Sequence, residues 1–208
     1  MNMAERQQKN PTSAADDDPD LYSNGKLIRH LKKKVLVLGD GGVGKTTLLY
    51  RYVNNVFIDS TKMTIGSDFV IKKLKIVDDN FENRLTLLFW DFSGQERFRF
   101  ILKEYAKGAE GVLLVFDLTR FNSLSGLYEW VKVLKDGGIW NDPKVKYILV
   151  GTKSDLLVDG SSKIDDQVIQ DFCDEFKITK YFETSAKSGD GVEDLFAEVA
   201  HEMISKED

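Results

Sequence analysis

The sequence predicts an α/β fold built on a doubly wound, mostly parallel sheet, and three observations predict it. The apolar run Val35-Leu36-Val37-Leu38 passes straight into Gly39-Asp40-Gly41-Gly42-Val43-Gly44-Lys45-Thr46, followed by Thr47-Leu48-Leu49. From Val35 onward, strand-like and helix-like segments alternate, as βαβ units require. Gly111-Val-Leu-Leu-Val-Phe116 is apolar at every position, as expected of a strand covered on both faces.

Taken in order, strands are expected at 35–38, 69–77, 85–91, 111–117, 145–151 and 181–183. Helices are expected near 45–54, 95–107, 123–135, 165–176 and 192–204. Asp78-Asp79-Asn80 separates two strand patterns, which suggests a hairpin and hence one antiparallel edge strand on a six-stranded sheet. Helices then lie on both faces, and a ligand belongs at the carboxyl ends of the strands. Residues 1–32 read as an arm preceding a domain over 33–208. The part up to about Asn24 is polar and carries Asp16-Asp17-Asp18-Pro19-Asp20. Such a stretch buries too little apolar surface to offset its ordering entropy, so disorder is expected. Lys26, Arg29, Lys32, Lys33 and Lys34 read as a solvated lead-in to the first strand.

The chain has 208 residues, 42% of them hydrophobic and 30% charged, with a net charge of −5. That mild acidity argues against a nucleic-acid partner, which needs a basic face. The single cysteine, Cys173, forms no internal disulfide, so a cytoplasmic setting is expected. It reads as a small core residue beside Val168, Ile169 and Phe172. No apolar run approaches membrane-spanning length. The chain ends without a prenylatable cysteine, which leaves membrane association open.

The loop at 39–46 fits the pattern G-x-x-x-x-G-K-[ST] after a strand and before a helix. Its glycines Gly39, Gly41, Gly42 and Gly44 let backbone N–H groups, with that of Val43, turn inward around an anion. The helix N-terminus at Thr46 and Thr47 adds its own amides and dipole. Lys45 can reach the β- and γ-phosphates, and the Thr46 hydroxyl can ligand Mg²⁺. Nucleoside triphosphate binding is the reading.

Further segments fall where such a fold brings loops to a nucleotide. Asp91, at a strand end in Trp90-Asp91-Phe92-Ser93-Gly94-Gln95, can hold the Mg²⁺ shell through water. Gly94 can offer its N–H to the γ-phosphate, and Gln95 can orient the attacking water. Thr64, in the polar loop after the first helix, can add its hydroxyl to Mg²⁺ and its amide to the γ-phosphate. Phe57 either packs edge-on against the base or joins the core. In Thr152-Lys153-Ser154-Asp155, the Asp155 carboxylate matches the paired N–H donors of guanine, and Lys153 can lay its stem along the base. Ser185-Ala186-Lys187 can supply a backbone N–H to guanine O6.

In this order, the motifs resemble those of the Ras superfamily of small GTPases. Gly39-Asp40, Thr64-Ile65-Gly66-Ser67-Asp68-Phe69, Trp90 to Arg99 and Glu183-Thr-Ser-Ala-Lys187 look Rab-like. The resemblance covers about residues 33 to 204. It implies a P-loop GTPase (G domain) fold and slow GTP hydrolysis to GDP with Mg²⁺. It also implies two nucleotide-sensitive loops, 57–68 and 91–105, that meet an exchange factor, an activating protein and effectors. Phe69, Trp90 and Tyr105 match the aromatic trio that Rab proteins present to effectors. The chain departs from the pattern at Phe92-Ser93, where Rab proteins usually carry Thr-Ala. Thr152 replaces the usual asparagine, as in Rho-like proteins. No residue is assignable from sequence as an internal arginine finger. Two other readings stand beside this one: a GTP-binding interaction module with negligible hydrolysis, and another P-loop enzyme such as a small-molecule kinase.

Overall fold

The computed structural model describes residues 22–59, 64–95, 102–157 and 163–205. Its sheet has seven strands in the order β3-β4-β2-β5-β6-β7, with β1 paired to β2. In sequence they are β1 (Tyr22–Ser23), β2 (Lys26–Leu38), β3 (Ser67–Val77), β4 (Phe81–Phe92), β5 (Gly111–Asp117), β6 (Lys146–Thr152) and β7 (Tyr181–Glu183). The helices are α1 (Lys45–Asn54), α2 (Leu102–Tyr105), α3 (Phe121–Ser125), α4 (Leu127–Asp136), α5 (Asp166–Phe176) and α6 (Val192–Ile204). The strands pair in parallel except β3 with β4 and β1 with β2. The edge hairpin at Asp78-Asp79-Asn80 is therefore as expected, while β1 adds a seventh strand and a second antiparallel pair.

Alternation along β2 divides the core. Leu36 and Leu38 pack with Val112, Leu114, Leu127, Trp130, Phe172 and their neighbours on one face. Val35 and Val37 pack with Leu48, Leu49, Leu113, Phe196 and Val199 on the other. β2 is thus apolar on both sides over 35–38. Every residue of β5 is buried.

The main correction concerns where β2 begins. It starts at Lys26, not Val35, so a domain boundary at 33 falls inside a strand. Residues 26–34 are lysine-rich yet pair in register with β4 from Leu27↔Phe81 onward. The charges are accommodated by partners far off in sequence. Buried Lys33 meets Glu110 at 2.7 Å, and Arg29 lies 3.1 Å from the Phe81 ring centroid. Tyr22 and Ser23 fold back on Leu27 and Lys26 through Asn24-Gly25, both at positive φ, the geometry of a tight hairpin turn. The expected acidic arm at 16–20 lies outside the described residues.

A single helix was expected over 123–135, and the structure has two, α3 and α4, meeting at Gly126. A Cβ on Gly126 would sit 2.1 Å from Asp40 Oδ2. The glycine admits the carboxylate of the glycine-rich loop against the helix pair. Of the helix expected over 95–107, residues 102–105 are helical, and 96–101 lie outside the described residues.

Candidate nucleotide site

The loop between β2 and α1 is fixed from below by close approach. Gly39 has φ 150°, and a Cβ there would lie 2.1 Å from Val115 O on β5. Only glycine lets the chain leave β2 so near its neighbour. Gly42 and Gly44 take φ 74° and 102°, and Gly44 caps the N-terminus of α1.

Four long or polar side chains donate to the loop's carbonyls. Lys45 Nζ reaches Gly39 O at 2.8 Å and Asp40 O at 3.0 Å. Arg120 Nη2 reaches Gly41 O at 3.0 Å, and Lys153 Nζ reaches Gly42 O at 2.9 Å. Buried Thr152 points Oγ1 at Val43 O, 2.5 Å away, and at Phe116 O, 2.8 Å away. The carbonyls of Gly39 to Val43 are thus each held by a side-chain donor. Burial lowers the Lys45 ammonium to about 8 against the opposing pull of Asp91 and Asp40.

That cavity holds about 310 Å³ and is lined by Gly42, Gly44, Thr47, Phe57, Thr152, Lys153, Asp155, Ala186 and Lys187, among others. Phe57 thus faces it rather than the core. Asp155 receives the Ser185 hydroxyl at 2.6 Å. Ser185 itself is fully buried. Its N–H donates to Asp190 O and its hydroxyl accepts the N–H groups of Lys187 and Ser188. Ser185 therefore positions Asp155 and the turn, and Ala186 and Lys187 present that turn to the cavity. Thr152 likewise acts as a strut between loop and strand.

A second cluster lies at the start of α1. Thr46 Oγ1 donates to Asp91 Oδ2 and lies 3.0 Å from Thr64 Oγ1. Asp91 is buried, and its Oδ1 has no hydrogen-bond partner among the described residues. Burial raises its carboxyl above the ordinary range, opposed by the Thr46 hydrogen bond and Lys45. Three convergent oxygens, one a buried orphan, are the donor set a small hard cation takes. Gly94 packs on the loop so closely that a Cβ would lie 2.1 Å from Gly41 N. The Gln95 amide follows, 3.4 Å from Ser93 Oγ.

Sequence reasoning missed several residues here. Asp117, at the end of β5, takes Lys153 Nζ at 2.7 Å and both the N–H and hydroxyl of Thr119. Burial pushes its carboxyl up, but the Lys153 and Thr119 contacts outweigh this and hold it below the ordinary range. Trp130 Nε1 donates to Asp40 Oδ1 at 3.2 Å. Asp117 and Arg120 stand at and just beyond a strand end, the position where the fold gathers ligand-facing groups; that was the available signal. Trp130 gave none.

On the outer face of β3, β4 and α2, Phe69, Trp90 and Tyr105 form one aromatic row. Ring centroids are 6.1 Å apart for the first pair and 5.3 Å for the second. Phe69 is 58% exposed and Tyr105 42%. The loops expected to sense nucleotide are described only in part: 60–63 and 96–101 lie outside the described residues.

A glycine-rich loop between a strand and a helix, on a sheet whose parallel strands end at one cavity, defines a P-loop nucleotide-binding α/β protein. Comparison with known proteins narrows the class: the Ras family profile matches residues 34–205, and the chain belongs to that family. It is 39% identical to Ras-related protein RABG3b of Arabidopsis thaliana over 164 residues, 78% of this chain and 79% of the relative. It is 35% identical to Ras-related protein Rab-1C of Dictyostelium discoideum over 170 residues, covering 82% and 80%. For Ras-related protein Rab7 of Cenchrus ciliaris the identity is 36% over 176 residues, 84% and 83%. The chain is a Rab-like, GTP-binding small GTPase, a GTP hydrolase. No helix among the described residues is long and apolar enough to cross a membrane.

Proposed function

We propose that this chain is a Mg²⁺-dependent switch that reads guanine through Asp155, holds phosphates in the loop at 39–46, and hydrolyses GTP slowly. The observation that carries the reading is a shared cavity. Gly42, Gly44 and Thr47 line one side of it, and Asp155, Ala186 and Lys187 another. The phosphate loop and the carboxylate reader thus open onto one cavity.

Thr46, Thr64 and Asp91 would hold the metal, Asp91 through water. Bound there, Mg²⁺ supplies charge neutralisation for the β- and γ-phosphate oxygens. Lys45 exchanges its two carbonyl contacts for phosphate oxygens, a point charge already desolvated and aimed along the loop. Gly94 offers its N–H to the γ-phosphate from its seat on Gly41. Gln95, one residue on, orients the water. Thr64 and Gly94 lie on the two segments that would change order with the γ-phosphate. The row Phe69, Trp90, Tyr105 adjoins those segments, where effectors would read the state. An exchange factor and an activating protein would work on the same loops.

Nucleotide competition tests the reading. The purified chain with Mg²⁺ should bind GTP and GDP and exclude ATP. Asp155→Asn swaps an acceptor for a donor, and should lower GTP affinity roughly 100-fold or more and shift preference toward xanthine nucleotides. Unchanged GTP preference in that variant removes Asp155 from the base contact. Gln95→Leu should slow single-turnover hydrolysis while binding persists. A wild-type chain that binds GTP but releases no phosphate would instead be the interaction module.

A further inference from the structure

Arg120 stands on the outer side of the phosphate loop, at the carbonyl of Gly41. It follows β5, is exposed, and donates from Nη2 to Gly41 O at 3.0 Å. Its charge is felt at Lys45. Of the cations tied to the loop's carbonyls, Lys153 is anchored by Asp117 at 2.7 Å. Arg120 has no carboxylate within ion-pair distance among the described residues.

Gly41 is also the residue on which Gly94 packs, at 2.1 Å from a would-be Cβ to Gly41 N. Arg120 and Gly94 therefore both meet Gly41, the first at its carbonyl and the second at its nitrogen. Gly41 is not among the glycines at positive φ, and a Cβ on it would meet nothing within 4 Å among the described residues. Neither backbone nor packing demands glycine there. It leaves open space one peptide carbonyl from a guanidinium, beside the γ-phosphate if Gly94 meets that group as proposed above.

We propose that Arg120 supplies, from within the chain, the second cation to the γ-phosphoryl group during GTP hydrolysis, turning from Gly41 O onto that group's oxygens. The inference rests on the hydrolytic reading above and adds to it the residue that Gln95 and Lys45 lack. As the water oxygen bonds to the γ-phosphorus, the bond to the β–γ bridging oxygen breaks. The electron pair leaves on the β-phosphate, and the water's proton passes to the released phosphate. A planar fork of N–H donors suits the equatorial oxygens of that passing group, where added positive charge counts most. The activating partner then need not bring an arginine.

The test uses the full chain with Mg²⁺ and three measurements, taken in order. These are fluorescent GDP affinity and release, single-turnover GTP hydrolysis, and capture of aluminium fluoride by the GDP form with no partner present. Arg120→Ala should slow hydrolysis roughly 10- to 100-fold, while GDP release changes by less than about twofold. Millimolar guanidinium should restore part of the rate, and Arg120→Lys should fall between the two. Wild type should capture aluminium fluoride and Arg120→Ala should not. Hydrolysis unchanged in Arg120→Ala overturns the proposal and leaves GTP binding standing. So does GDP release that rises as much as hydrolysis falls, which would make Arg120 a brace for the loop. Wild type that binds no GTP overturns both readings, and the first measurement alone reveals it.

Discussion

The two ends of the sheet make an instructive pair. At the carboxyl ends of β2, β5 and β6, the cavity is about 310 Å³, and charged or hydroxyl side chains are tied to backbone carbonyls. At the opposite end, β2, β3 and β4 run on past the core beside α6. They enclose a larger groove of about 740 Å³, lined by Leu74, Ile76, Phe196, Ala197 and Ala200 among others. There the charges pair with one another near the surface, as Glu82 does with Lys75 and Arg84. Size points to the second region, and chemistry to the first. The smaller cavity has convergent polar groups, an orphaned buried carboxylate oxygen and glycines packed to contact. The larger one is also lined by Arg29, Asp78, Asn80, Glu193 and His201, but has neither an orphaned buried oxygen nor a packed glycine among the described residues.

Breaking the tight end should cost most. Gly39→Ala places a Cβ 2.1 Å from Val115 O and should destabilise the fold by about 3–5 kcal/mol, measured by urea unfolding. Gly41→Ala, in the same loop, should change unfolding by less than about 0.5 kcal/mol, since nothing lies within 4 Å of its would-be Cβ. Equal effects would show that the loop's rigidity does not come from its seat on β5.

Thr152→Val should do less. It removes one buried hydroxyl from Val43 O and Phe116 O, worth about 1–2 kcal/mol. Because that strut joins the phosphate loop to the base-reading strand, GDP release should quicken roughly tenfold, in the same range of energy. Stopped-flow release unchanged beside a lowered melting temperature would limit Thr152 to the fold.

The open end should give the smallest effect. Lys75 chiefly, with Ser23 and Arg84, holds the Glu82 carboxyl down to about 2 from 4.5. A depressed carboxylate stabilises the fold fully above its unfolded value, and the gain is lost as pH falls toward the folded one. Glu82→Gln should therefore flatten the acid limb of melting temperature between pH 4.5 and about 2, and leave GTP affinity at neutral pH unchanged. An altered GTP affinity would mean the two ends are coupled through β4.

What could be read in advance divides along the same line. β5, β7 and α6 have the bounds expected; for β5 and α6 the patterns are local, six apolar residues in a row or one clear amphipathic face. The glycine-rich loop and the Asp155 and Lys187 turns were legible because each motif follows a strand. The start of β2 was not, since Lys26 to Lys34 look solvated until β4 and Glu110 are known. The break at Gly126 was equally hidden, being set by Asp40, far away in the chain. Asp117 and Arg120 escaped because a lone acid or base at or past a strand end has no periodicity; only contact with Lys153 or Gly41 gives them a role.

The indole of Trp130 is fully buried, and its N–H rests on the carboxylate of Asp40 within the phosphate loop. Ultraviolet emission from that ring is thus wired to whatever fills the cradle. With Trp90 and Trp140 replaced by phenylalanine, the protein would report its own loading in real time, without any dye.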